Sequence, residues 1–289
     1  MSYIPKRPSS EKNPWPPSFA VDFDAWVTGG VQHGPQEVLP HHITDATKAY
    51  INIGLAKAAH RVLTTQTSGD PRREGNILNF IKIRQSGSAR FIIAGHGAGG
   101  AVSSILALAS VSAGVDARSI LTYPTAAPSP GNKLFTELFV KTFPASQGWN
   151  VNLVNERDVV PRAWCISESV PKNLQSIPSI YSGRLPIVCN DIGVLYNRIR
   201  SAGVLYQPLP SQSFFGETVI PPNYVEDYLR ITFAQHVRVY ASWVGIPIPR
   251  LDDTHMYGRG LIKKTENEVW FNYPVIADCA YENVLEAQK

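Results

Sequence analysis

The segment Gly95-His96-Gly97-Ala98-Gly99 has the spacing with the most chemistry in it. A small-x-nucleophile-x-small run between a strand and a helix makes a sharp turn that lifts its central side chain above the end of a sheet. Small flanking residues keep neighbouring backbone from colliding there. The helix that follows turns its first N–H groups toward developing negative charge. The central residue here is Gly97, which offers neither hydroxyl nor thiol, so no covalent intermediate can form at it. The same glycines also satisfy G-x-G-x-x-G, through Gly95, Gly97 and Gly100, which in other settings cradles a dinucleotide phosphate. That reading needs an acidic residue at the end of the next strand, and Ser119-Ile-Leu-Thr-Tyr123 supplies none.

The elements around the turn follow from hydrophobic periodicity. Arg90 to Ala94 is an apolar run of strand length, and Ala101 to Ser112 a helix of small and apolar residues. Upstream, Asp45 to Leu63 reads as a helix with Ile51, Leu55, Ala58, Ala59 and Val62 on its stripe, and Asn76 to Arg84 as a second. Downstream, Ser119–Tyr123 and Val151–Val154 read as strands, with an amphipathic helix from Asn132 to Phe143 between them. Residues 165–198 read as an irregular insertion, Val204 to Leu209 as a strand, and Tyr228 to Trp243 as a buried helix. Glu268 to Tyr273 is strand-like. Alternating strands and helices predict an α/β fold with a mainly parallel sheet covered by helices on both faces. Residues 1–20, with five prolines, read as an N-terminal arm, and 21–289 as a single domain.

Composition narrows the function classes. Of 289 residues 44 % are hydrophobic and 17 % charged, enough for a sizeable core. A formal charge of +4 without a basic block interleaved with aromatics argues against a nucleic-acid partner. Cys165, Cys189 and Cys279 are too few and too scattered for a disulfide framework or a zinc motif. His41 and His42 are adjacent and lack a carboxylate at ligand spacing, so neither a metal nor any other cofactor is expected. The apolar stretch Phe91–Val115 holds four glycines near its start and reads as strand, turn and helix rather than a transmembrane segment. The N-terminus lacks the apolar run of a signal peptide, so the expected location is cytoplasmic. Oligomeric state is left open.

Ile93-Ala-Gly-His-Gly-Ala-Gly-Gly-Ala101 resembles the Gly-His-Ser-Leu-Gly-Gly-Ala turn of class 3 (fungal-type) lipases, with Gly97 at the serine and Ala98 at the leucine. Further matches follow in the family's order: Thr122-Tyr123, Pro128-Ser-Pro-Gly-Asn132 with Phe135, Asn155-Glu-Arg-Asp158-Val-Val-Pro161, and Asp253-Thr-His255-Met-Tyr257. The resemblance spans roughly residues 45–260 and implies an α/β-hydrolase-like fold. It also implies Asp158 as triad acid, His255 as base and the Ala98 N–H as an oxyanion donor beside His96. His236, within a helix read as buried, is the rival base and reads as a satisfied core histidine. An Asp before Val-Val-Pro also suits a plain loop cap. The family's oxyanion strand should precede Asp24-Ala-Trp26, but Lys12-Asn-Pro-Trp-Pro-Pro-Ser-Phe19 does not match it. The fold is thus expected to be N-terminally shortened, with a second oxyanion donor unlocated.

Removing a triad nucleophile leaves roughly 10³–10⁴-fold acceleration over water, so ordinary lipase turnover is not expected. Ser103 and Ser104 lie too far along the helix to substitute. Three readings follow. The first is non-hydrolytic chemistry on an apolar small molecule, such as cyclisation or isomerisation. The second is a non-catalytic lipase-like protein that binds a lipid or protein partner. The third is a true lipase or esterase whose serine has been exchanged for glycine.

Overall fold

The computed structural model describes residues 20–22, 48–65, 75–85, 89–182, 185–201 and 204–245. Along the chain the elements are β1 (Ala20–Asp22), β2 (Tyr50–Asn52), α1 (Ile53–Thr64), α2 (Ile77–Arg84), β3 (Phe91–His96), α3 (Ala98–Ser112), β4 (Ile120–Thr125), β5 (Gly131–Asn132), α4 (Lys133–Thr142), β6 (Asn152–Asn155), α5 (Pro186–Ser201), β7 (Tyr206–Gln207), β8 (Ser211–Phe214), α6 (Val225–Phe233), a π turn (Ala234–Arg238) and α7 (Val239–Trp243). His41, His42, His255, Cys279, Asp24, Trp26 and the run Glu268–Tyr273 lie outside the described residues, as does the N-terminal arm up to Phe19.

β3, β4, β6 and β8 form a parallel sheet in that order. Six residue pairs join β3 to β4, from Phe91 opposite Ile120 to His96 opposite Thr125. α3 packs on one face, where Phe91 and Ile93 of β3 meet a core built from Ile53, Ala56, Ala59 and Leu63 of α1, Leu78 and Ile81 of α2, Ile105 and Leu108 of α3, and Phe135 and Phe139 of α4. The opposite face carries a smaller core of Leu153, Phe214, Val239 and Tyr240, so the helix ending at Trp243 covers that side. Helices on both faces of a parallel sheet are the expected α/β-hydrolase arrangement.

The sequence does not announce the second sheet, the antiparallel β1-β2-β5-β7. Two of its strands are two residues long, below the length at which alternation can be recognised. β2 also corrects the upstream helix. That helix begins at Ile53, because the Asn52 side chain accepts from the Gly54 and Leu55 N–H groups and starts it there. The buried stripe is Ile53, Ala56, Ala59 and Leu63, while Ala58 and Val62 face solvent. The 165–198 segment is likewise more regular than read: a 3₁₀ run at Leu174–Ser179 leads to α5, whose Pro at the first position suits a helix start.

α3 carries no charge and is buried nearly all round because its polar groups are satisfied internally. Ser103, Ser104 and Ser110 donate to the carbonyls of Gly100, Ala101 and Leu106 at 2.7, 2.7 and 2.8 Å. Among the described residues no helix is long and apolar enough to cross a membrane.

Candidate active site

The site is built at the C-terminal end of β3 and β4. Gly97 has φ 58° and ψ −126°, a conformation that costs a side-chain-bearing residue on the order of 1–3 kcal/mol. Its N–H donates to the Thr125 carbonyl at 2.9 Å, and its own carbonyl accepts from Gly100 and Ala101, which winds the chain directly into α3. A Cβ on Gly95 would stand 2.1 Å from the Gly99 carbonyl oxygen, so the helix rests on a strand that must have no side chain there. The Ala98 and Gly99 N–H groups have no partner among the described residues and lie at the helix N-terminus.

A side chain on Gly97 would point at His236. Its Cβ would lie 2.9 Å from His236 Nε2 and 3.3 Å from Cε1. The other ring nitrogen, Nδ1, is 2.8 Å from Asp158 Oδ2. Asp158 is fully buried and His236 is 18 % exposed. An ionised carboxylate only accepts, so Nδ1 carries the hydrogen and the Nε2 lone pair faces Gly97. Asp158 Oδ1 accepts the Val160 N–H at 2.9 Å. Burial, reinforced by Asp158, holds the Tyr240 hydroxyl protonated far above the ordinary tyrosine range.

The partner of Asp158 among the described residues is thus His236, whereas the sequence points to His255. His236 is satisfied, as expected, but by Asp158, and it is half-buried rather than part of the core. The helix from α6 to α7 is buried only along Tyr228, Gln235, Val239 and Tyr240, and Leu229, Val237 and Trp243 are open. A π turn spans Ala234–Arg238, and His236 lies one position beyond buried Gln235, off the stripe of Tyr228, Gln235 and Val239. The legible signal was the polar pair Gln235-His236 between the apolar residues Phe233-Ala234 and Val237.

Asn155 holds these pieces together, a role the sequence did not reveal. Fully buried at the end of β6, it donates from Nδ2 to the Gln235 carbonyl at 3.0 Å and to Gln235 Oε1 at 2.7 Å. Its Oδ1 accepts from the N–H groups of Arg157 and Gly216, at 3.1 and 2.9 Å. Its own N–H donates to the Tyr240 hydroxyl at 2.7 Å. The loop that carries Asp158 and the turn that carries His236 are therefore bolted to one side chain.

His96 lies beside the pair, its ring 4.5 Å from that of His236 and edge-on to Tyr240 at 5.0 Å. His96 Nδ1 is hydrogen-bonded to the Thr125 hydroxyl at 2.9 Å, and that hydroxyl also reaches the Gly95 carbonyl at 3.3 Å. Burial, followed by the neighbouring His236 ring, lowers the His96 pKa below its ordinary value, against an upward pull from Asp158. The unfolded chain therefore takes up a proton near pH 6.5 before the folded one does. This contribution to stability is complete above that pH and is lost as pH falls toward the folded value. Urea unfolding followed from pH 7.5 to 5 is expected to show a fall in midpoint that is shallower in His96→Asn.

Ser103 and Ser104 point their hydroxyls at carbonyls of their own helix and do not reach the turn. No cluster of three or more metal-ligating side chains occurs among the described residues.

Residues 25–167 match the family described as lipase (class 3). No curated protein sequence matches the chain. Among solved structures, M37 lipase is similar with a TM-score of 0.55 at 22 % identity, over 72 % of this chain and 61 % of that one. The described fold thus spans about three fifths of the length of that lipase. A native Rhizomucor miehei lipase–propeptide complex matches over 40 % of this chain and 33 % of its own, at 23 % identity and a TM-score of 0.31. The chain has the α/β-hydrolase fold of a lipase, and its residues 25–167 carry the sequence pattern of the class 3 lipase family.

Proposed function

We propose that Gly97 stands where a lipase carries its nucleophilic serine, and that His236, oriented by Asp158, works directly on an apolar, lipid-like small molecule as a general base. The observation that carries this reading is the aim of His236 Nε2, 2.9 Å from the Cβ position of a residue that has none. A base built to activate a side chain, with the side chain removed, is free to take a proton from the ligand itself. Proton removal from carbon in an apolar site leads to isomerisation or cyclisation rather than to ester hydrolysis. The free Ala98 and Gly99 N–H groups would stabilise the negative charge that develops on the ligand. No acyl intermediate is involved.

The close seat of the His236 ring on Gly97 also suits a second reading, a non-catalytic lipase-like protein in which the imidazole fills the vacated space. One assay separates the two. The Kemp elimination of 5-nitrobenzisoxazole needs a base that takes a proton from carbon while the N–O bond breaks and a phenolate leaves. Turnover by the wild-type protein is expected to fall about 10²-fold or more in His236→Ala, the lower end of what a positioned base contributes. Asp158→Asn should lose a similar factor, because the tautomer is no longer set. The wild-type chain should not be labelled by a fluorophosphonate. Equal rates in wild type and His236→Ala, or labelling of the wild type, would overturn the proposal.

A further inference from the structure

Away from the His236–Asp158 pair, a half-open cavity of about 210 Å³ lies against β4, β6 and β8. It is lined by Tyr123, Trp149 and Trp243, by Gln147 and Gln212, and by apolar Val151 and Leu153. Its aromatic walls are braced. Trp149 stands edge-on to Tyr123 at 5.5 Å, and Trp243 stacks on Phe214 at 4.3 Å with 20° between the rings. No charged side chain lines it, which selects a neutral ligand. Its volume is below the roughly 300–1,000 Å³ of sites for drug-sized molecules, which selects a single ring.

The mouth of the cavity is shaped by an unusual turn. Ser146 and Trp149 exchange backbone hydrogen bonds at 3.2 and 2.8 Å around Gln147 and Gly148, both at positive φ (48° and 84°). Glycine takes that conformation freely, but glutamine does not. Nearby Asn150, also at positive φ, is held because its Oδ1 accepts from the Thr122 N–H and hydroxyl while its Nδ2 donates to the Pro144 carbonyl. No such bond holds the Gln147 side chain among the described residues, nor that of Gln212. Two free primary amides, each a donor and an acceptor, thus flank an aromatic floor.

We propose that this cavity is a binding site for a single neutral sugar ring, a pyranose whose C–H face lies on Trp149 or Trp243 and whose hydroxyls pair with the amides of Gln147 and Gln212. A pyranose is apolar on one face and carries vicinal hydroxyls around its rim, which is the combination these walls offer. A purely apolar ring would leave both amides unused. The site lies two residues down β4 from Thr125 and does not depend on the chemistry assigned to His236.

The test uses the full chain and saturation-transfer NMR with the methyl glycosides of glucose, galactose and mannose, and with indole as an apolar ring. Saturable binding of at least one glycoside is expected. It should weaken by about 3–10-fold in Gln147→Gly, the factor of one neutral hydrogen bond. Because glycine relieves the strained turn, the thermal midpoint of that variant should hold or rise, which rules out unfolding as the cause. His236→Ala should bind as the wild type does, so failure here and failure of the general-base assignment are told apart. The proposal is overturned by no glycoside binding at concentrations up to about 100 mM, by undiminished binding in both Gln147→Gly and Trp149→Ala, or by indole binding that the glycosides do not displace.

Discussion

Gly95→Ala is expected to prevent folding of the parallel sheet, or to lower the thermal midpoint by more than about 10 °C, as a loss above roughly 4 kcal/mol would in a chain of this size. The added methyl would stand 2.1 Å from the Gly99 carbonyl oxygen, 2.3 Å from its carbon and 2.9 Å from the Gly100 nitrogen. All three are backbone atoms of the first turn of α3, so no side chain can swing aside. The helix would have to lift off β3, and it is anchored by the bond from Gly97 to Thr125 and by its burial against α1. The matched control is Gly99→Ala, two residues into the helix, where nothing lies within 4 Å of the new atom. That substitution replaces a poor helix former with the best and should be neutral or stabilising by about 0.5–1 kcal/mol. Differential scanning calorimetry of the two variants reads the contrast. A Gly95→Ala protein as stable as the wild type would mean that the strand and helix are not packed as described.

Asn155→Ala carries the second large effect. It deletes four hydrogen bonds made by one buried amide, and leaves the N–H groups of Arg157 and Gly216 and the side-chain oxygen of Gln235 without those partners. A buried polar group stripped of its partner costs about 1–3 kcal/mol, so a total of about 3–5 kcal/mol is expected after relaxation. Urea denaturation measures it. Asn155→Asp should not rescue, because a carboxylate cannot donate to the Gln235 carbonyl and would set its charge against that oxygen. The local consequence is as large as the global one. Both the Asp158 loop and the His236 turn are tied to Asn155, so the Nδ1 proton resonance of His236 should lose its protection from solvent exchange even where the variant still folds.

Much of this architecture was legible before any coordinates. The run from Phe91 into the glycines is short, apolar and followed by small residues, and it became β3, the turn and α3 within a few residues of the expected limits. Asp158 was singled out because Asn155-Glu-Arg-Asp158-Val-Val-Pro161 resembles a class 3 lipase motif, and Asn155 was visible in the same motif without its purpose. Sequence offers no sign that its amide reaches across 80 positions to Gln235. The choice between His236 and His255 had the same obstacle. A histidine in a helix read as buried is ordinarily a core residue, and nothing in the sequence marks the π turn at that point. The β5 strand was invisible for a simpler reason, since two residues contain no period, whereas β7 falls inside the strand read at Val204 to Leu209.

The π turn has a consequence for what changes of length the chain tolerates. A residue contributes about 100° to the direction of everything after it in a helix. Adding or deleting one position between Ala234 and Arg238 would therefore rotate Val239, Tyr240 and Trp243 away from the sheet by more than a quarter of a circle. His236, which meets Asp158 from within that turn, and Tyr240, which accepts the Asn155 N–H just beyond it, could no longer hold both partners together. Conservative exchanges along this helix alter its packing by degrees. A single insertion or deletion there uncouples His236 from Asp158 outright, so the number of residues in the turn constrains this pair as firmly as their identity.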